Sequence, residues 1–179
     1  YYGGEGLGAF VQHGMAAPRP IHVRQPAAEP LVIVGSRSHR GDSLDGVLAR
    51  IGPHEMRPMG SSLKFCLVAE GEADFYPRLG PTSEWDTAAA QALVEAAGGG
   101  VTTLDGMPLR YNERDTLLNP HFLAFGDRRT GRRQAGRALH RAYADVVDRQ
   151  LRRRELAEMV VGELEPRLRV EAVGRLPLA

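Results

Sequence analysis

Apolar and polar positions divide the chain, up to about Asp127, into short alternating elements. Residues 1–11, YYGGEGLGAFV, set glycines between aromatic and apolar positions, which predicts a β-hairpin with its loop at residues 3–8. A phosphate-cradling loop would need a strand before it and a helix after it, and GGEGLG runs into the strand-like AFV. Residues 13–19 read as loop, 21–24 as a short strand and 25–30 as a connection. Leu31–Gly35 (LVIVG) is a continuous apolar run bounded by Pro30, as expected of a strand buried on both faces. It ends in the polar segment 36–40, SRSHR, and ligands of open α/β sheets bind at that end of a strand.

Asp42 and Ser43 are placed to cap a helix over 44–51, with Leu44, Val47, Leu48 and Ile51 on one face. Residues 54–59 read as a strand. Ser61 and Ser62 open a helix to about Glu70, with Leu63, Cys66, Leu67 and Val68 as its apolar side and Gly71 as its stop. A strand over 73–76 and a loop over 77–81 follow. Thr82 or Ser83 caps a helix over 84–97 whose stripe is Trp85, Ala88, Ala89, Leu93 and Ala96, ended by three glycines. Residues 101–104, 109–111 and 121–125 look like further strands. The βαβαβ alternation places the chain in the α/β class.

Charge changes the picture at residue 128. Residues 1–127 carry 10 basic and 15 acidic side chains, and residues 128–179 carry 13 Arg and 7 acids, so the sign of the net charge reverses. The pattern divides the chain into a domain over 1–127 and a basic extension over 128–179, with RRTGRR as linker and one amphipathic helix over 135–164 that Pro166 ends. Acids recur in that helix from Asp145 onward, so a solvated helix is favoured over a nucleic-acid stripe and no DNA is expected. One Cys excludes an internal disulfide framework and fits a reducing cytoplasm. No apolar run is long enough to span a bilayer, and no signal peptide is visible. A first residue of Tyr rather than Met suggests sequence upstream.

Candidate chemistry gathers in residues 60–89, which hold the chain's one Lys (Lys64), one Cys (Cys66) and one Trp (Trp85). Asp86, in a first helical turn, is either a cap or a Mg²⁺ ligand, since that cation takes oxygen ligands and often one or two carboxylates plus phosphate. Ser61, Ser62 and Lys64 at a helix start are either an ordinary cap with a solvated Lys or a phosphate site. Arg78, after a strand, is a second phosphate candidate. His39 is either an exposed loop side chain or a base-contacting one. Cys66 and Trp85 read as core, and Glu70, Glu72 and Asp74 as a solvated turn.

GSSLKFCLVAEGEADFYPRLGPTSEWDTAAAQALVEAAGG closely resembles the CysQ-type 3'(2'),5'-bisphosphate nucleotidases of the inositol monophosphatase superfamily. WDTAAAQ resembles the superfamily's second signature, whose Asp is a metal ligand. The likeness extends back through VIVGSRSHR and the GLGAF hairpin and forward through GMPLRYNERDTLLNPHFLAFGD, over residues 1–127. It implies the C-terminal αβα lobe of that layered fold, with Mg²⁺ as cofactor and adenosine 3',5'-bisphosphate hydrolysed to AMP and phosphate in the cytoplasm. A peripheral position at the inner membrane is the alternative. It implies Asp86 as metal ligand and catalytic residue, Ser61, Lys64 and Arg78 as nucleotide and phosphate contacts, and His39 as an adenine-side contact. The family's N-terminal half, with a metal-binding Glu and a DPxDGT motif, has no counterpart here, so the resemblance implies a missing N-terminal half as partner and an inactive isolated chain. Two rivals remain. One is a non-catalytic module whose basic helix binds a partner or nucleic acid. The other is an inositol phosphatase, which shares the WD signature but not the GSSLK…YPR pattern.

Overall fold

The computed structural model describes residues 1–35 and 42–130. The segment 36–41, with His39, and the expected helix over 135–164 lie outside the described residues. All described residues fall in one compact unit, Tyr1–Ala142.

Two sheets form. Strands β1 (Tyr2–Gly4), β2 (Gly8–Val11) and β3 (Arg19–Ile21) make a small antiparallel sheet. Strands β4 (Leu31–Gly35), β5 (His54–Pro58), β6 (Phe75–Arg78), β7 (Gly100–Thr103) and β8 (Phe122–Phe125) make a mixed sheet in the order β5-β4-β6-β8-β7. β4 runs parallel to β5 and β6, while β8 runs antiparallel to β6 and β7. Helices α1 (Asp42–Ile51), α2 (Leu63–Ala69) and α3 (Ala88–Ala96) complete the fold, with a short helical turn at Arg128–Thr130. The architecture is the expected α/β class.

Every residue of β4 is buried, and its side chains divide by the two-residue period of a strand. Leu31 and Ile33 pack with Leu44 and Leu48 of α1 and with Phe75, Leu123 and Phe125. Val32 and Val34 enter the other core with Phe65 and Val68 of α2, Leu93 and Val94 of α3, and Ala9, Val11 and Ile21 of the small sheet. The central aromatics of that core are mutually packed. Phe65 and Tyr76 meet edge-on at 5.1 Å, Tyr76 and Phe122 edge-on at 5.7 Å, and Phe65 stacks on Phe122 at 5.6 Å.

Several expectations shift. The strand expected over 21–24 is Arg19–Ile21, because Phe10 and Val11 of β2 pair with Pro20 and Arg19. α1 begins at Asp42, so the expected caps lie inside it. In α2, Leu63 is exposed and Phe65 takes its place in the core. The strand expected over 73–76 is Phe75–Arg78, which brings Arg78 into the sheet. Residues 109–111 form no strand: Leu109 only donates its N–H to Val101 O at 3.3 Å beside a lone Thr102–Pro108 bridge. The helix expected over 84–97 is broken into a 3₁₀ turn, Glu84–Asp86, and α3, with Thr87 between them at φ −127°. Trp85 is therefore 70% exposed rather than buried.

Asp74 departs furthest from expectation. Its side chain is fully buried, not part of a solvated turn. Its carboxylate accepts Val32 N at 2.7 Å and Ala28 N at 3.1 Å and pairs with Arg24 at 3.4 Å. Its main chain donates to Val32 O at 2.7 Å and accepts Gly126 N at 3.1 Å. β6 is registered against β4 only at Phe75, so the carboxylate takes over where the ladder would need another strand residue. Gly71, at φ 76°, is required just before it: a Cβ there would meet His22 O at 3.0 Å and Arg24 N at 3.2 Å. Removing the Asp74 carboxylate orphans the buried Val32 N–H, the part-buried Ala28 N–H and Arg24. Asp74→Ala is expected to lower the unfolding free energy by about 3 kcal/mol, read from urea denaturation.

Tyr76 gives a pH signature. Burial pushes its phenol up from 10.0 to about 12, with Arg78 pulling it down and Asp86 pushing it up. Below pH 10 the phenol is protonated in both states and contributes no slope. Between 10 and about 12 the unfolded chain releases the proton and the folded chain holds it, so stability falls as pH rises through this window. The loss from this one group is about 1.4 kcal/mol per pH unit. Tyr1, raised the same way, adds to it, while Lys64, lowered by burial, acts in the opposite sense only below about its ordinary value of 10.5. Tyr76→Phe is expected to flatten the profile above pH 10 relative to the wild type, measured by denaturant midpoints across pH.

Candidate active site

Lys64 of α2 lies over the Tyr76 ring, Arg78 stands two residues on along the same face of β6, and the charges of Arg78 and of Asp86, in the 3₁₀ turn, both act on the Tyr76 phenol. Lys64 is only 4% exposed, so it is not an ordinary solvated side chain. Its ammonium lies 5.2 Å from the centre of the Tyr76 ring, a cation–π arrangement, and donates to Ser61 O at 2.8 Å and Met59 O at 3.4 Å. Burial lowers its pKa, and the Arg78 charge lowers it further. Ser61 is held at φ 52°, in the left-handed region a serine seldom adopts, which turns its carbonyl onto the ammonium. Neither Ser61 nor Ser62 acts as a side-chain cap; Ser62 holds the cap position at φ −64° without one. The Ser61 side chain is exposed at this edge.

Arg78, at the end of β6, donates from its guanidinium to Pro81 O at 2.8 Å. Its Nε is buried with no partner among the described residues. Its charge also reaches His121, next to β8, whose pKa is lowered first by burial and then by Arg78. Three basic side chains thus share one corner of the sheet, and none of the ion pairs formed among the described residues neutralises Lys64 or Arg78. Such a corner favours an anion, since a phosphate gains charge-assisted hydrogen bonds that the protein does not already satisfy.

Asp86 ends the 3₁₀ turn and is exposed. Its Oδ2 accepts Ser83 N at 2.9 Å, the carboxylate half of a capping box, so the capping role is real. Oδ1 accepts no hydrogen bond among the described residues. Magnesium takes oxygen ligands and is held by one or two carboxylates with water and phosphate completing the shell. An exposed carboxylate with one oxygen tethered and the other open fits one such position. Among the described residues no group of three His, Cys, Asp or Glu could form a complete metal cage, so Asp86 fits as a single ligand.

Sequence reasoning misses three contributors. Tyr76 reads from the sequence only as a strand residue, yet an aromatic two positions before a basic side chain on a strand shares its face, and that spacing is the signal that could find it. Glu84 is a buried carboxylate that binds Asn112 N at 2.9 Å and Arg114 at 3.0 Å, fixing the start of the Asp86 turn. Asn119, next to Pro120, ties the same turn from the other side through Thr82, Ser83 and Thr87. Cys66 is a buried core thiol, as expected.

The sequence profile of the Inositol monophosphatase family matches residues 1–144. The CysQ 3'(2'),5'-bisphosphate nucleotidase of Salmonella typhimurium is 48% identical over 122 residues, 68% of this chain and 48% of that protein. The chain spans about half the length of the curated relatives it matches. Among solved structures, CysQ from Bacteroides thetaiotaomicron, a bacterial member of the inositol monophosphatase family, superimposes with a TM-score of 0.50 at 45% identity, covering 55% of this chain and 38% of that one. The Thermotoga maritima IMPase shares the fold with a TM-score of 0.62 at 22% identity, over 79% of this chain and 51% of its own. With its fold matched in these structures and the family profile spanning most of its length, the chain belongs to the inositol monophosphatase family.

Proposed function

We propose that this chain forms the nucleotide-gripping side of a Mg²⁺-dependent 3'(2'),5'-bisphosphate nucleotidase that converts adenosine 3',5'-bisphosphate to AMP and phosphate. The observation that carries the reading is the pair of basic side chains at this corner, Lys64 over the Tyr76 ring and Arg78 on the same face of β6, both free of carboxylate partners among the described residues. The CysQ relative from Salmonella typhimurium, at 48% identity, supports this substrate class over an inositol phosphate.

In this reading Arg78 and the Ser61 edge hold the phosphate that is not cleaved, and Lys64 supplies positive field from beneath. Fixing that phosphate removes rotational freedom and orients the scissile 3'-phosphate. Asp86 Oδ1 provides one ligand to Mg²⁺, which when bound polarises the phosphoryl oxygens and acidifies a water. His39 is assigned to the adenine side on sequence resemblance, since it lies outside the described residues. The lobe is residues 1–127 and the basic stretch 128–179 an extension; the family match continues past this charge boundary to residue 144. Among the described residues no helix is long and apolar enough to cross a membrane, and the free Cys66 thiol suits a cytoplasmic setting.

With Asp86 as a single ligand and no metal cage among the described residues, the purified 179-residue chain is expected to bind adenosine 3',5'-bisphosphate in calorimetry and to release no phosphate from it with Mg²⁺. Arg78→Gln is expected to weaken that binding about tenfold, the scale of one charge-assisted hydrogen bond. Robust phosphate release by the chain would sink the single-ligand assignment, and nucleotide affinity indifferent to Arg78→Gln would sink the phosphate site.

A further inference from the structure

Asn119 lies in a segment with no regular structure, yet its side chain is more heavily used than any other near the turn that carries Asp86. Its Nδ2 donates to Ser83 O at 2.9 Å, Thr87 Oγ1 at 2.9 Å and Thr82 Oγ1 at 3.2 Å, three acceptors shared between two hydrogens. Its main-chain N–H donates to Thr82 O at 2.8 Å. Its Oδ1 is buried and has no partner among the described residues. The amide orientation is fixed all the same, because Ser83 O can only accept. A side chain kept with one buried acceptor idle is destabilising in itself, and the compensation lies in what its nitrogen holds.

What it holds is the frame of Asp86. Ser83 O accepts both Asn119 Nδ2 and Asp86 N, the latter at 3.0 Å, and Ser83 N donates to Asp86 Oδ2 at 2.9 Å. Thr87, on the other side of Asp86, is 2% exposed and is gripped by the same Asn119 nitrogen while its hydroxyl donates to Glu84 O at 3.2 Å. Asn119 therefore clamps the residue three before Asp86 and the residue just after it. A 3₁₀ turn followed by a break at Thr87 has little helix of its own to hold its geometry.

We propose that Asn119 is the positioning residue of Asp86: through Ser83 and Thr87 it fixes the turn so that Asp86 Oδ2 stays on Ser83 N and Oδ1 is presented to a hard cation. The proposal rests on Asp86 being a cation ligand. Asn119 itself touches neither the cation nor a substrate.

The test uses Tb³⁺, an oxygen-seeking cation whose emission is sensitised by a nearby indole. Trp85, the chain's one tryptophan, is adjacent to Asp86 and exposed. The full chain and its Asp86→Asn, Asn119→Leu and Thr87→Val variants are titrated with Tb³⁺ alone, with the thermal midpoint of each measured alongside. Leu keeps the branched skeleton of Asn, though it is bulkier, and removes the idle acceptor together with the donor, so the variant offsets part of its own cost to the fold. Asp86→Asn is expected to abolish the sensitised emission. Asn119→Leu is expected to weaken apparent Tb³⁺ affinity about tenfold, the lower end for residues that orient a metal ligand. Thr87→Val, which removes one of the three Asn119 contacts, is expected to weaken it less. Emission that survives Asp86→Asn overturns the ligand role of Asp86 and the proposal with it. Emission lost in Asp86→Asn but wild-type affinity in Asn119→Leu overturns the positioning role alone. Should Asn119→Leu fail to fold, wild-type affinity in Thr87→Val overturns the positioning role in its place.

Discussion

The buried carboxylate of Asp74 is the constraint on which the rest of the fold depends. β4 needs partners on both edges because both its faces are buried and no water reaches its N–H groups. β5 covers one edge over its whole length, but β6 is registered at Phe75 alone. Asp74 fills the gap by accepting Val32 N with its side chain while its main chain donates to Val32 O. The same carboxylate collects Ala28 N and Arg24 from the connection that leads from the small sheet, and its carbonyl collects Gly126 beyond β8. One side chain thus sets the start of β6, and β6 carries Tyr76 and Arg78 to the candidate site.

The convergence of charge at the end of β6 follows from that placement. Tyr76 and Arg78 share a strand face, and β8 pairs Phe122 with Arg78, which brings His121 alongside. α2 lays Lys64 over the Tyr76 ring because Phe65, its neighbour, is locked edge-on and stacked in the aromatic core. A buried Lys needs compensation, and here it comes from two carbonyls and a π face rather than a carboxylate. The cation keeps its charge uncancelled, and its depressed pKa reflects that burial.

Much of this is legible in the sequence wherever a local rule and burial agree. LVIVG between Pro30 and the polar segment reads as a doubly buried strand and is one. The misreadings share a cause, which is that local periodicity carries no knowledge of non-local partners. Trp85 falls on the apolar stripe only if a single 3.6-residue period runs from 84 to 97. A 3₁₀ turn and the break at Thr87 change the phase, and Trp85 faces outward. Pro77 argues for a loop, yet the edge of β6 toward β4 is unregistered past Phe75, where a missing N–H is tolerated. Asp74 looks solvated from the sequence because its partners are dozens of residues away in the chain. Lys64, Arg78 and Asp86 stand out as candidates from resemblance and residue type, while Asn119 carries no such signal because its partners are carbonyls and hydroxyls of a distant turn.

A common logic links the three candidate side chains. Each is tethered to main chain within five residues of itself: Lys64 to Ser61 O and Met59 O, Arg78 to Pro81 O, Asp86 to Ser83 N. None is tied to another by an ion pair among the described residues. A site whose cations and carboxylate satisfied each other would have to break those pairs, at a cost of several kcal/mol when buried, before accepting a ligand. Local tethers instead hold the geometry and leave the charges of Lys64, Arg78 and Asp86 unpaired with one another. That separation of holding from pairing is what the proposed role asks of these side chains, since a preorganised site does not have to break internal ion pairs before it takes a ligand.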